Sequence, residues 1–192
     1  MTEHDSLHER GRALEEEYFR KKNRELIEKM RLEAGRDEAR RSMGAQIGLH
    51  DPELLAQLQK LGFTADTVNL LPLVPVVQMA WVDGNVTDAE RSALFKIART
   101  RGIDEGSAAY HQLSAWLADR PAPAVFEGAT RLIRAMLDAP ASDATKISPD
   151  DLVAYSETIA AASGGLLGIN KISSEERALL ASLAAELGKR AK

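Results

Sequence analysis

The chain contains no cysteine, which excludes disulfides, thiolate metal sites and cysteine nucleophiles and fits a reducing compartment. Aromatic residues make up only 5% of its 192 residues, so a core must be built mainly from aliphatic side chains. A strong basic field is missing too. The formal net charge is -4, which argues against a nucleic-acid partner because phosphate recognition rests on clustered lysine and arginine. No apolar run is long enough to cross a bilayer. The most apolar stretch, Leu70 to Val82, contains two prolines and falls short of the roughly 20 residues a spanning helix requires. The first residues, MTEHDSLHERGR, lack the apolar segment of a secretory signal, so the expectation is a soluble, cytoplasmic protein, not embedded in a membrane. Sustained alternation of apolar and polar residues is also absent, and no strand is expected.

What the chain has is helix. Arg10 to Leu32, RGRALEEEYFRKKNRELIEKMRL, consists almost wholly of strong helix formers. Its large apolar residues are few: Leu14 and Tyr18 align one turn apart, and Phe19, Leu26 and Met30 form a drifting stripe beside Ile27. The remainder is charge of both signs. Met1 to Ser42 carries 11 acidic and 11 basic residues, leaving 18 acidic and 14 basic for the rest of the chain. Such a helix has a narrow apolar seam and a wide solvated face, and it calls for a partner. Ser6 and Glu9 are spaced as a capping box at its start. Gly35, Gly44 and Gly48 punctuate the following segment, where a hinge or short broken helix is expected. Residues 1–48 therefore read as a charged helical arm and hinge, and residues 49–192 as a helical body.

In the body, Asp51-Pro52 supplies an N-cap and a proline at the first helical position, and Gly62 a stop. Thr64 or Asp66 is expected to cap a short helix ending near Leu71, with Pro72 opening the apolar segment behind it. Asp83-Gly84-Asn85 makes a turn, and Thr87 with Glu90 makes a capping box. That helix turns Leu94, Ile97 and Ala98 inward and ends at Gly102. Asp104 is expected to cap the next, which carries Tyr110, Leu113, Trp116 and Leu117. Another follows with Val125, Phe126, Ala129, Leu132, Ile133 and Met136 inward, and Ser148-Pro149 starts one more, closed by Gly164-Gly165. One repeat is visible: NVTDAERSALFKIA at Asn85 to Ala98 returns as KISSEERALLASLA at Lys171 to Ala184, which implies two related halves.

Catalytic signatures are missing. No His-Glu-x-x-His, nucleophile elbow or phosphate loop occurs, and His4, His8, His50 and His111 form no recognisable ligand set. The expectation is a non-enzyme without an organic cofactor. Asp83, Asn85 and Thr87 alternate as in a calcium loop, with Asp88 and Glu90 adding oxygen, so Asp83, Asp88 and Glu90 are the residues that would hold a divalent metal. Against this, the sixth position is Asp88 in place of glycine, and the twelfth is Leu94 in place of a bidentate glutamate. The other reading of the same residues is a turn followed by a helix cap.

Two resemblances follow from these residues. Val76 to Gly102, VVQMAWVDGNVTDAERSALFKIARTRG, resembles the TerB-like (tellurite-resistance) helical domains, in which an apolar helix ends in Ala-Trp-x-Asp-Gly before a Glu-Arg helix. It implies an all-α body, divalent-metal binding and a stress-response role. The arm, through Arg10, Ala13, Glu15, Glu16, Tyr18, Phe19, Arg20, Glu25 and Ile27, resembles the inhibitory helix of the mitochondrial ATP synthase inhibitor protein family. This second resemblance implies that the arm enters a catalytic interface of the F-type ATP synthase head and blocks ATP hydrolysis. Tyr18 and Phe19 would pack there, Glu15, Glu16, Arg20 and Glu25 would form salt bridges, and Ile27 belongs to the same partner-binding set. The leading expectation is thus a partner-binding regulator. The alternative is a metal-binding TerB-type module whose arm serves homo-oligomerisation.

Overall fold

The computed structural model describes residues 3–138 and 149–163, together with Glu175, Ala178, Leu179, Ala181, Ser182 and Ala185. Among these residues there are seven α-helices and no strand, so the fold is all-α as expected. They are α1 (Glu3–Ile47), α2 (Pro52–Lys60), α3 (Val74–Ala80), α4 (Asp88–Thr100), α5 (Ala108–Ala118), α6 (Pro123–Asp138) and α7 (Pro149–Ser163), with a 3-10 helix at Val68–Leu73. The chain divides into two compact units, Met1–Ala39 and Arg40–Lys192. The expected second repeat copy, Lys171 to Ala184, and the Gly164-Gly165 terminator lie outside the described residues except for the helical positions just named.

The first helix corrects the expected hinge. α1 continues through Gly35 and Gly44 to Ile47. An interior glycine costs about 1 kcal/mol relative to alanine, too little to break a helix built from so many good formers. The break falls at Gly48, whose φ of 70° only glycine adopts easily. The unit boundary at 39/40 accordingly falls inside the helix and not at the glycine-bearing turn near residue 48.

Three helices end by the same device. Leu49 N–H donates to Gly44 O (2.9 Å), Phe63 N–H to Leu58 O (3.1 Å) and Ile103 N–H to Ala98 O (3.0 Å). In each the intervening glycine, Gly48, Gly62 or Gly102, has positive φ, which is the Schellman arrangement. The residue after each glycine, Leu49, Phe63 or Ile103, is buried. One glycine thus both stops a helix and turns the next apolar side chain into the core.

Starts are equally local. Asp51 Oδ1 accepts from Glu53 N–H (2.8 Å) and Leu54 N–H (3.1 Å) ahead of Pro52 at the first position of α2. The Thr87–Glu90 capping box opens α4. The expected cap of α5 moves. Ser107, not Asp104, takes that role, its Oγ accepting from Tyr110 N–H at 3.1 Å. Gly106, at a φ of 85°, breaks the path that a cap at Asp104 would need. Pro72 lies inside the 3-10 helix and does not open a helix of its own; Pro75 sits in the first turn of α3.

The core centres on Leu70 to Ala80. Within it Leu70, Leu71, Leu73, Val74, Val76, Val77, Met79 and Ala80 expose 1% or less. A helix apolar on every side must be enclosed, and α3 packs against α4, α6, α7 and the 3-10 helix. The amphipathic faces of α4 and α6 close over it with Leu94, Ile97, Ala98, Phe126, Ala129, Leu132, Ile133 and Met136, positions expected from periodicity, while Val125, expected with them, is only partly buried. Each of the larger side chains among them, Leu, Ile, Phe or Met, contributes about 1.5–3 kcal/mol on burial.

Candidate functional site

In the unit Met1–Ala39, the side chains of Tyr18, Phe19, Leu26, Ile27, Met30 and Leu32 are all exposed, from 49% at Ile27 to 61% at Phe19 and Leu32. At 3.6 residues per turn, Phe19, Leu26 and Met30 lie within about 40° of one another around the helix. Tyr18 is roughly 100° from Phe19, so the two rings cannot share one narrow seam. They meet edge to face instead, with centroids 5.9 Å apart, and broaden the seam into an apolar arc. Leu32 returns close to the azimuth of Tyr18, a position the stripe count passed over. The side chain of Leu14 lies outside the described ones.

Charge edges this arc. Arg20 pairs with Glu16 (3.9 Å) and also donates from Nε to the Glu16 carbonyl (3.3 Å). Lys22 pairs with Glu25 (3.6 Å) and holds its ammonium 5.8 Å from the Tyr18 ring centroid. Lys29 approaches Glu33 at 4.0 Å. Glu15, Glu16, Arg20 and Glu25 are exposed, as are Tyr18, Phe19 and Ile27, so all seven expected partner-binding residues sit at the surface of one helix. Intrahelical pairs of this kind contribute about 0.2–0.5 kcal/mol each. They steady the helix without committing its charges.

The Trp81–Arg91 segment behaves differently. Trp81 is buried and its indole Nε1 donates to Trp116 O at 2.8 Å. Arg91 donates to the next carbonyl, Leu117 O, at 2.8 Å. These are two of the last carbonyls of α5, groups that a helix cannot satisfy from within. Thr87 N–H and Oγ1–H both donate to Glu90 Oε2 at 2.7 Å, and Thr87 Oγ1 accepts from Glu90 N–H at 3.3 Å. Gly84, at a φ of 86°, closes the turn by donating to Trp81 O (3.1 Å). Tryptophan, glycine, threonine, glutamate and arginine in this segment each hold backbone in place.

Asp83 and Asp88 are exposed, while Glu90 is buried in the capping box. Among the described residues no group of three or more histidine or acidic side chains is placed to hold a metal ion, and Asp83, Asp88 and Glu90 form no such group. His50 and His111 are exposed, and His111 meets Tyr110 edge-on, with centroids 6.2 Å apart. Sequence reasoning missed the capping roles of Trp81 and Arg91 because their partners are carbonyls, which carry no side-chain signal. No helix among the described residues is long and apolar enough to cross a membrane. No protein-family model matches the chain, and no curated protein or solved structure matches it either.

Proposed function

We propose that this chain is a non-enzymatic protein-binding regulator whose N-terminal helix lays its apolar arc in a groove of a partner protein, and that the partner is the catalytic head of an F-type ATP synthase. The observation that supports docking is the exposure of Phe19, Leu26 and Met30 along one face of α1, with Tyr18 beside them. Amphipathic helices recognise grooves through anchors at this spacing, and a few large side chains carry most of the affinity. The choice of the synthase head rests on the resemblance carried by Arg10 to Met30. In this reading Glu15, Glu16, Arg20 and Glu25 exchange their intrahelical pairs for salt bridges at the groove's rim. That exchange costs little, because each surrendered pair is worth only about 0.2–0.5 kcal/mol. The chain then works in the compartment the head faces, here taken as the cytoplasm.

The test is ATP hydrolysis by purified synthase heads in the presence of the full chain and of its Phe19→Ala/Leu26→Ala variant. The intact chain is expected to inhibit, and removing two anchors to weaken inhibition by about tenfold or more, the equivalent of about 1.4 kcal/mol. Hydrolysis left unchanged by a large excess of the intact chain removes the synthase head as partner.

A further inference from the structure

The turn between α3 and α4 carries the one Asp-Gly pair in the sequence, Asp83-Gly84, and no Asn-Gly pair occurs. Asp83, Gly84 and Asn85 are all exposed, and the segment belongs to no helix. Among the described residues the Asp83 carboxylate has no hydrogen-bond or ion-pair partner, so it turns freely about its side-chain torsions. A Cβ added at Gly84 meets nothing within 4 Å, so the space beside this peptide is open. The nitrogen is held by Gly84 N–H donating to Trp81 O at 3.1 Å. In an exposed turn such a bond favours the closed form over the opened one by no more than about tenfold.

An aspartate side chain is placed by its own covalent structure to reach the nitrogen of the next residue. A side chain on that residue crowds the approach; glycine has none and reaches the backbone angles that ring closure needs. We propose that this turn is a covalent modification site in the folded protein, where Asp83 isomerises to isoaspartate ahead of the other exposed aspartates outside helices. The Gly84 nitrogen attacks Asp83 Cγ, the N–Cγ bond forms, and the N–H proton and the carboxyl hydroxyl leave as one water, giving a five-membered succinimide. Water then adds at the main-chain carbonyl of Asp83 and breaks its bond to nitrogen, so the chain runs through Cβ and Cγ and the main-chain carboxylate is free. Addition at Cγ restores aspartate. One water leaves and one returns, so no oxidant, reductant or co-reactant is needed. The product has one extra main-chain carbon ahead of Gly84, which removes the register that presents Gly84 N–H to Trp81 O. The site lies in the unit Arg40–Lys192 and involves no residue of the arm, so it stands or falls separately from the arm's docking role.

The experiment ages the full, folded chain in neutral buffer for weeks, digests it and maps isoaspartate by electron-transfer mass spectrometry, with labelling by an isoaspartyl O-methyltransferase as a second readout. Asp66, Asp104 and Asp119 are internal controls: all three are exposed and outside helices, but each precedes a residue with a side chain, Thr67, Glu105 or Arg120. Isoaspartate at Asp83 is expected to exceed that at each control by at least about tenfold. Asp83→Glu keeps the charge but requires a six-membered ring, and it is expected to lower the yield of isomer at this position by at least about tenfold. The same chain aged in urea is expected to gain isoaspartate at Asp83 no more than about tenfold faster, the most that the bond to Trp81 O accounts for. The proposal is overturned if Asp83 gains no more isoaspartate than the controls, or if Asp83→Glu yields as much isomer. An acceleration of about a hundredfold or more in urea overturns it as well, since the fold would then shield the turn.

Discussion

Residues 3–39 and residues 40–47 belong to one uninterrupted helix, yet they obey different rules. In the first part every large apolar side chain from Tyr18 to Leu32 is exposed. In the second, Met43 exposes 1%, and Arg40 Nε donates to Gln59 Oε1 at 3.2 Å. The two glycines make the same point. A methyl added at Gly35 meets nothing within 4 Å, whereas one at Gly44 collides with the Leu49 carbonyl and stands 3.1 Å from a Leu55 methyl. Helix formation and burial are therefore separate achievements. Intrinsic propensity carries the first thirty-odd residues, and packing carries the last turns.

The largest expected effect sets core against arm. Leu71→Ala, at a fully buried position, should lower unfolding stability by about 2–5 kcal/mol, through lost transfer energy and the cavity left behind. Leu26→Ala should change it by less than about 0.5 kcal/mol, because that side chain is already more than half exposed. Urea unfolding measures both, and equal losses would erase the distinction. Within α1, Gly44→Ala should cost about 1–3 kcal/mol by overpacking. Gly35→Ala should instead gain about 0.5–1 kcal/mol of local helix stability, seen as slower amide exchange around residue 35. If Gly35→Ala proved as damaging as Gly44→Ala, the open environment of Gly35 would be wrong.

A third substitution, Trp81→Phe, tests whether the tryptophan of the Ala-Trp-x-Asp-Gly segment is structural. It keeps most of the apolar volume but removes the donor to Trp116 O, so a stability loss of about 1–3 kcal/mol is expected. Unchanged stability would mean that the indole serves something other than the end of α5.

What could be read in advance follows the range of the interaction. Asp51-Pro52, the Thr87–Glu90 box and the stops at Gly62 and Gly102 were legible because the groups involved lie within five residues of one another. The inward faces of α4 and α6 were legible through their period. Gly35 and Gly44 read as breakers in the sequence, yet the surrounding propensity outweighs them, and the start of α5 shifts because Gly106 redirects the chain between two plausible caps. Trp81 reaches a carbonyl 35 residues away and Arg91 one 26 residues away, and no local pattern announces either. The exposed face of the arm was legible for the opposite reason: so few apolar residues among so many charges leave little to bury.

The smallest expected effect is the most telling for the arm. Arg20 and Glu16 are both at least 70% exposed and 3.9 Å apart. Arg20→Ala should therefore cost the helix no more than about 0.5 kcal/mol, and about 1 M salt, with a screening length near 3 Å, should abolish even that difference. If Arg20 serves only its own helix, circular dichroism will register a minor loss of helicity and inhibition of ATP hydrolysis will be unaffected. If it forms a rim salt bridge in a partner's groove, the same substitution will weaken inhibition well beyond what the helicity loss accounts for, and the excess will itself diminish with salt. The two measurements on one variant separate a side chain that steadies α1 from one that α1 presents.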